Sequence, residues 1–153
     1  MAVVYEYKSL KDVLFQIVKI AREGVPYMET KIPSYISTPQ QLFYYLSSIT
    51  SYRDDPPNTE LLQKPESLFE NNYWGSPGVG DCDCFTILLI SSLFALGFHR
   101  DNIEIVLAGR SKNVPKHIYI TCMGVPMDLT NAYYNYERDY RYLQHIPLKK
   151  LWQ

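Results

Sequence analysis

Apolar residues recur at helical spacing from Leu10 through Val13, Leu14, Ile17, Val18 and Ala21, so this stretch predicts an amphipathic helix. Ser9 stands before it as a cap, Asp12 follows three residues later in the manner of a capping box, and Gly24 marks the stop. Thr38, Pro39 and Gln41 repeat the start signal, and the helix they open carries Leu42, Tyr45, Leu46 and Ile49 on one side. Between Arg53 and Gly80 the pattern breaks. Pro56, Pro57, Pro65 and Pro77, with Gly75, Gly78 and Gly80, leave room for one short helix at Pro65 to Phe69.

From Cys82 to Leu96 the chain is apolar on nearly every side, which predicts a helix buried all round and ended by Gly97 in the left-handed conformation. IEIVLAG (Ile103 to Gly109), HIYITCM (His117 to Met123) and VPMDL (Val125 to Leu129) read as strands, and Gly124 turns the last two into a hairpin. Helices first and strands later predict an α+β domain in which N-terminal helices and a central buried helix pack on a small antiparallel sheet. The tail holds Tyr133, Tyr134, Tyr136, Tyr140 and Tyr142 and reads as an edge strand or an ordered loop. The whole is one domain over 1–153: an N-terminal helical region (1–55), a loop-rich lead-in (56–80), a core (81–130) and a tyrosine-rich tail (131–153).

Composition narrows the function classes. With 153 residues and 46% hydrophobic content, the chain has the means for one core. Fifteen basic against 16 acidic residues give a net charge of −1, so no broad basic field exists for a phosphate backbone. Arg138, Arg141, Lys149 and Lys150 alternate with tail tyrosines as a single-strand binder would require, but Glu137 and Asp139 weaken that field, and nucleic acid is not the expected partner. No run reaches the roughly 18 apolar residues of a membrane span. The leading MAVVYEYKSLKD lacks a basic start, an apolar block and a cleavage site, so no secretory leader is expected; the chain is expected to be cytoplasmic or associated with a virion. Three cysteines, two of them one residue apart, argue for free thiols.

The chemistry gathers at Cys82. It stands where the glycine-rich YWGSPGVGD meets the central helix, whose unpaired first amides and dipole favour the thiolate, the nucleophilic form of cysteine. The loop glycines are expected to let the backbone approach a substrate, and the Cys82 amide to receive charge from an attacked carbonyl. A thiolate needs a proton carrier and the carrier an orienting carboxylate. His117 opens one strand and Asp128 lies 11 residues later in the next, a separation that a hairpin turning at Gly124 brings side by side.

These residues resemble the transglutaminase-like cysteine enzymes of the papain-like superfamily. GVGDCDCFTILLISSLFALGF is similar to their Gly-x-Cys loop and buried helix, HIYIT to the His strand and MDLT to the Asp strand. ELLQKPESLFE resembles the lead-in of short, phage-type members, and the likeness runs from Glu60 to Thr130. It departs where such members carry two acids around the position after the cysteine; here Asp83 is followed by Cys84. The resemblance implies a papain-like core, Cys82 as nucleophile, His117 as general base and then acid, and Asp128 as its orienting partner. It implies acyl transfer on amide bonds of a protein or peptide, as peptidase, amidase or transglutaminase, with no cofactor and no metal. The other reading is a non-catalytic building block, such as a virion component that keeps the fold and binds other virion subunits. Gln63 and Trp74 are candidates for an oxyanion donor or a substrate groove, because both lie upstream and can donate.

Each residue also has an ordinary role. Cys84 follows Cys82 by two on the helix and should turn into the core; Cys122 should be a buried thiol on the strand face opposite His117. A zinc set of Cys82, Cys84, His117 and Cys122 is disfavoured because Cys-x-Cys at a helix start splays its sulfurs. His99 and His145 read as surface residues, and Asp128 alone is an ordinary turn residue.

Overall fold

The computed structural model describes residues 3–4, 9–111 and 114–152. The leading stretch apart from Val3, Val4 and the residues from Ser9 onward lies outside the described residues, as do 112–113 and 153. Strand β1 (Val3–Val4) is followed by helix α1 (Leu10–Glu23), whose cap is the expected one: the Ser9 hydroxyl accepts from the Asp12 amide at 3.2 Å. Gly24 does end α1, but with φ −82° it is not left-handed, and the chain enters α2 (Val25–Lys31) at once. The sequence pattern did not announce α2, although Pro26 suits its first turn. Glycine is required at 24 by packing, because a Cβ would stand 2.5 Å from Pro65 and 2.8 Å from the Ser91 hydroxyl.

Helix α3 (Pro39–Ser48) carries a complete capping box between Thr38 and Gln41. The proline-rich passage after it contains β2 (Ser51–Tyr52), β3 (Leu61–Leu62), the short helix α4 (Pro65–Glu70) and β4 (Val79–Gly80). β1 pairs antiparallel with β3, while β2 pairs parallel with β4, Tyr52 opposite Gly80. Two-residue ladders of this kind cannot be read from side-chain alternation, which needs a longer run.

Helix α5 (Cys82–Ala95) is the centre of the molecule. Every residue from Cys84 to Leu93 is buried, and each fully buried Leu or Ile contributes on the order of 1.5–3 kcal/mol relative to exposure. α1 and α2 pack on it from one side and the main sheet from another. Its buried Ser91 hydroxyl donates to the Ala21 carbonyl, so this polar group is satisfied across the contact with α1. Gly97, at φ +93°, closes the helix: its amide and that of Phe98 return to Phe94 and Leu93.

The main sheet is four-stranded and antiparallel in the order β7-β6-β5-β8, with β5 (Ile103–Gly109), β6 (His117–Cys122), β7 (Val125–Met127) and β8 (Tyr142–Pro147). Short 3-10 turns precede β5 (Arg100–Asn102) and follow β8 (Leu148–Leu151). Both readings of the tail apply, each to its own stretch, since β8 is an edge strand and 131–141 is irregular. Met123 joins Gly124 in the hairpin turn, both with positive φ (51° and 80°), the pair of conformations that a two-residue turn of this twist demands. The sheet has two working faces. Ile105, Leu107, Ile118 and Ile120 join the main core against α5, whereas Val106, Ala108 and Tyr119 form a smaller core with Tyr140 on the other side. Among the described residues no helix is long and apolar enough to cross a membrane.

Candidate active site

Cys82 is the first residue of α5, and Asp81 is its cap. The Asp81 carboxylate accepts from the Asp83 amide at 3.1 Å and from the Cys84 amide at 3.2 Å, so two of the first-turn donors expected to favour a thiolate are already engaged by an acid. Burial, reinforced by Asp83 and Asp81, pushes the Cys82 thiol well above its ordinary range; the Ile118 amide pulls the other way, and Asp128 adds to the rise. The Cys82 side chain therefore rests as a thiol: the helix end was expected to favour the thiolate, and burial and the neighbouring acids act against it. An Asp directly before a helix is a legible cap signal, and it is the feature that expectation left out.

His117 begins β6, and its Nε2 lies 2.6 Å from Asp128 Oδ2. A carboxylate accepts, so the proton of this bond sits on Nε2 and Nδ1 is the nitrogen that can serve a thiol. Asp128 is 3% exposed, and its remaining lone pairs are filled. Oδ1 accepts from the Thr130 amide at 3.0 Å and the Thr130 hydroxyl at 2.7 Å, and Oδ2 also accepts from Asn131 Nδ2 at 3.3 Å. A buried carboxylate supplied with this many donors is held in one orientation. Thr130 and Asn131 were not singled out from the sequence, although a hydroxyl two residues after an Asp is a recognised local partner.

Cys82 and His117 line one cleft of about 310 Å³, together with Tyr52, Glu60, Asp83 and Lys116. The Ile118 amide that faces the Cys82 sulfur belongs to the residue after His117, so the thiol sits at the start of β6. A larger cavity of about 720 Å³, bordered by Tyr142 and Leu143 of β8, shares Leu10, Leu107 and Pro115 with this cleft.

One wall of the cleft is acidic. Asp55 shares a hydrogen bond with Asp81, and Glu60 shares one with Asp83. Burial and the Asp55 neighbour push the Asp81 carboxyl up to about 8, while burial and Glu60 hold Asp83 well above the usual carboxylate range. Among the described residues Asp55, Glu60 and Asp81 bring carboxylate oxygens within 4.8 Å of one another, a hard oxygen set of the kind that suits a divalent cation.

The other candidates lie elsewhere. Gln63 is 1% exposed and committed to the lead-in: its Nε2 donates to the Val79 carbonyl at 3.1 Å, and its Oε1 accepts from the Tyr73 amide at 3.0 Å. Trp74 lies under Arg53, whose guanidinium carbon is 3.8 Å from the ring centroid. Neither Gln63 nor Trp74 is among the residues lining the Cys82 cleft, so neither is placed as an oxyanion donor. Cys84 turns into the core, with its thiol 3.5 Å from the Leu61 carbonyl, and Cys122 is buried opposite Val125. His99 caps a 3-10 turn, and His145 meets Glu104 at 3.3 Å.

Two of the loop glycines, Gly78 and Gly80, are required by packing. A Cβ at Gly78 would stand 2.0 Å from the Ile49 carbonyl oxygen, and one at Gly80 would stand 2.8 Å from Cys84 Cβ. Comparison with protein families, curated proteins and solved structures gives no match for this chain.

Proposed function

We propose that this protein is a cysteine-dependent acyl-transfer enzyme of transglutaminase-like type, with a papain-like core, that acts on amide bonds of proteins or peptides. The observation that carries the reading is that His117, bonded to Asp128 at 2.6 Å, lines the same cleft as Cys82. Because the thiol rests protonated, His117 acts as a general base during attack rather than as half of a standing ion pair. Cys82 Sγ bonds to the amide carbon as its proton passes to His117 Nδ1. That proton then goes to the leaving nitrogen, the C–N bond breaks, and an amine or ammonia departs from a thioester. Water or a second amine attacks the thioester and gives its proton to His117, the C–S bond breaks to release the acyl product, and His117 returns that proton to Cys82 Sγ, which restores the thiol. Hydrolysis is the favoured outcome, since no acceptor site can be named. The cavity adjoining the cleft supplies length and apolar surface for a peptide on one side of the reacting bond.

The test is a search for an acyl adduct on Cys82. The protein is incubated with a library of peptides bearing glutamine side chains and backbone amides, quenched in acid and read by mass. The expected result is a Cys82 adduct lighter than the peptide by the departing amine, absent in Cys82→Ala and slowed at least about 100-fold in His117→Ala, the usual scale of general-base catalysis. No adduct from any peptide, or one indifferent to His117→Ala, sinks the proposal. The raised thiol also favours a second reading, a non-catalytic virion or interaction protein that retains these side chains. That reading gains if the chain never acylates yet assembles through its exposed tail tyrosines, Tyr133 and Tyr136.

A further inference from the structure

The sheet face away from α5 carries an aromatic cluster around the imidazole. Tyr119, two residues along β6, lies with its ring centroid 5.6 Å from that of His117, and Tyr140 lies 5.9 Å away, each inclined by 29°. The two tyrosines are 6.0 Å from each other, so the three rings make a closed triangle. The residue of β5 opposite His117 is Ala108, whose small side chain leaves space on this face. Tyr119 is 2% exposed and its hydroxyl donates to Glu137, so it is fixed by its own strand and by that acid. Tyr140 arrives from a different region of the chain, the irregular segment 131–141. The same segment touches the other half of the pair, where Asn131 donates to Asp128 and also to the Tyr136 carbonyl at 3.5 Å. One loop thus holds the carboxylate at one end and the imidazole at the other.

We infer that Tyr140 is a positioning residue for His117: its ring, seated with Tyr119 against the imidazole, fixes the plane in which Nε2 meets Asp128 and leaves Nδ1 for the thiol. A His at the first position of a strand has nothing before it in the sheet to stop rotation about χ2, a broad torsion that packing must narrow. Offset ring contacts supply that restriction and exclude water from the His117–Asp128 bond. The role belongs to the ring and not to the hydroxyl. It rests on the acyl-transfer reading only for the use made of Nδ1; the restriction of the ring is a property of the resting protein.

The experiment observes the His117 Nε2 proton directly, as a downfield proton resonance assigned by its loss in His117→Gln, with exchange against water measured in wild type, Tyr140→Phe, Tyr140→Leu and Tyr140→Ala. Circular dichroism confirms folding of each. Tyr140→Phe is expected to keep the resonance and its exchange rate, while Tyr140→Leu and Tyr140→Ala exchange faster by up to about tenfold, the scale of one aromatic contact. Should Tyr140→Ala fail to fold, the Phe and Leu variants decide by the same criterion. Unchanged exchange in Tyr140→Leu overturns the inference, and so does equal acceleration in Tyr140→Phe, which would assign the effect to the hydroxyl. Acylation of Cys82 is scored separately. If no peptide ever acylates Cys82 while the exchange pattern holds, the acyl-transfer reading fails and the positioning role stands.

Discussion

Asp128 reaches His117 diagonally across the hairpin. The ladder pairs Cys122 with Val125 and Ile120 with Met127, and continuing that register sets Tyr119 opposite Asp128 and Thr130 opposite His117. The 2.6 Å bond therefore joins His117 to the same-face neighbour of the residue directly opposite it. Diagonal neighbours on one face are within reach of long or aromatic side chains. The arrangement leaves the directly opposed Thr130 to fasten the carboxylate from behind, with its hydroxyl 2.7 Å from Oδ1.

Thr130→Val removes that hydroxyl while keeping the shape. A hydrogen bond to a charged group contributes about 1.5–3 kcal/mol, and this one is partly buried, so a loss of about 1–2 kcal/mol in urea unfolding is expected, with Thr130→Ser restoring most of it. A Thr130→Val protein as stable as wild type would show that the hydroxyl does not hold Asp128.

Asp81→Asn separates capping from charge. Asparagine caps a helix about as well as aspartate, so stability should stay within about 0.5 kcal/mol from capping alone, while the negative charge that Asp81 places beside Cys82 above about pH 8 disappears. One pKa unit is tenfold in thiolate. Iodoacetamide at about pH 9, where the Asp81 carboxyl is ionised, is therefore expected to label wild-type Cys82 more slowly than a free thiol, and the variant about tenfold faster than wild type. Equal rates would mean that Asp81 has no hold on the sulfur.

The acid pairs dictate a direction for pH. Asp81 has an unfolded-state pKa of about 4 and a folded value pushed up to about 8, so between those limits the folded chain binds a proton that the unfolded chain has released. Stability is then highest on the acid side of this window and falls as pH rises through it. Urea midpoints should be lower at pH 8 than at pH 5.5, and the difference should shrink in Asp55→Asn, which removes the partner that shares the proton. A midpoint that rises over this range would contradict the pairing.

Gly78→Ala and Gly75→Ala share a positive φ, 82° and 78°, but not the surroundings. The left-handed conformation alone costs roughly 1–2 kcal/mol for a residue with a Cβ, which is the full effect expected at Gly75, where a Cβ meets open space. At Gly78 the added clash with Ile49 should bring the loss to about 3 kcal/mol or more. Thermal unfolding of the two variants measures the difference; equal losses would rule out the close approach of this loop to α3.

Much of this protein is written in local pattern. The caps Ser9 and Thr38, the buried run of α5, the stop at Gly97 and the strands on either side of Gly124 each depend on residues within a turn or two of one another, and all of these are legible along the chain. So is the pairing of His117 with Asp128, because a two-residue turn leaves the strands few ways to meet. Asp81 and Asp83, which raise the Cys82 thiol, are its neighbours along the chain, but its state is set first by burial, which only three-dimensional packing decides. For the same reason the placement of Gln63 inside the lead-in, the contact of Tyr140 with His117 and the close packing of Gly24 and Gly78 had no local signature: each is a meeting of segments remote in the chain, chosen by which surfaces pack densely around α5 and not by any period along it.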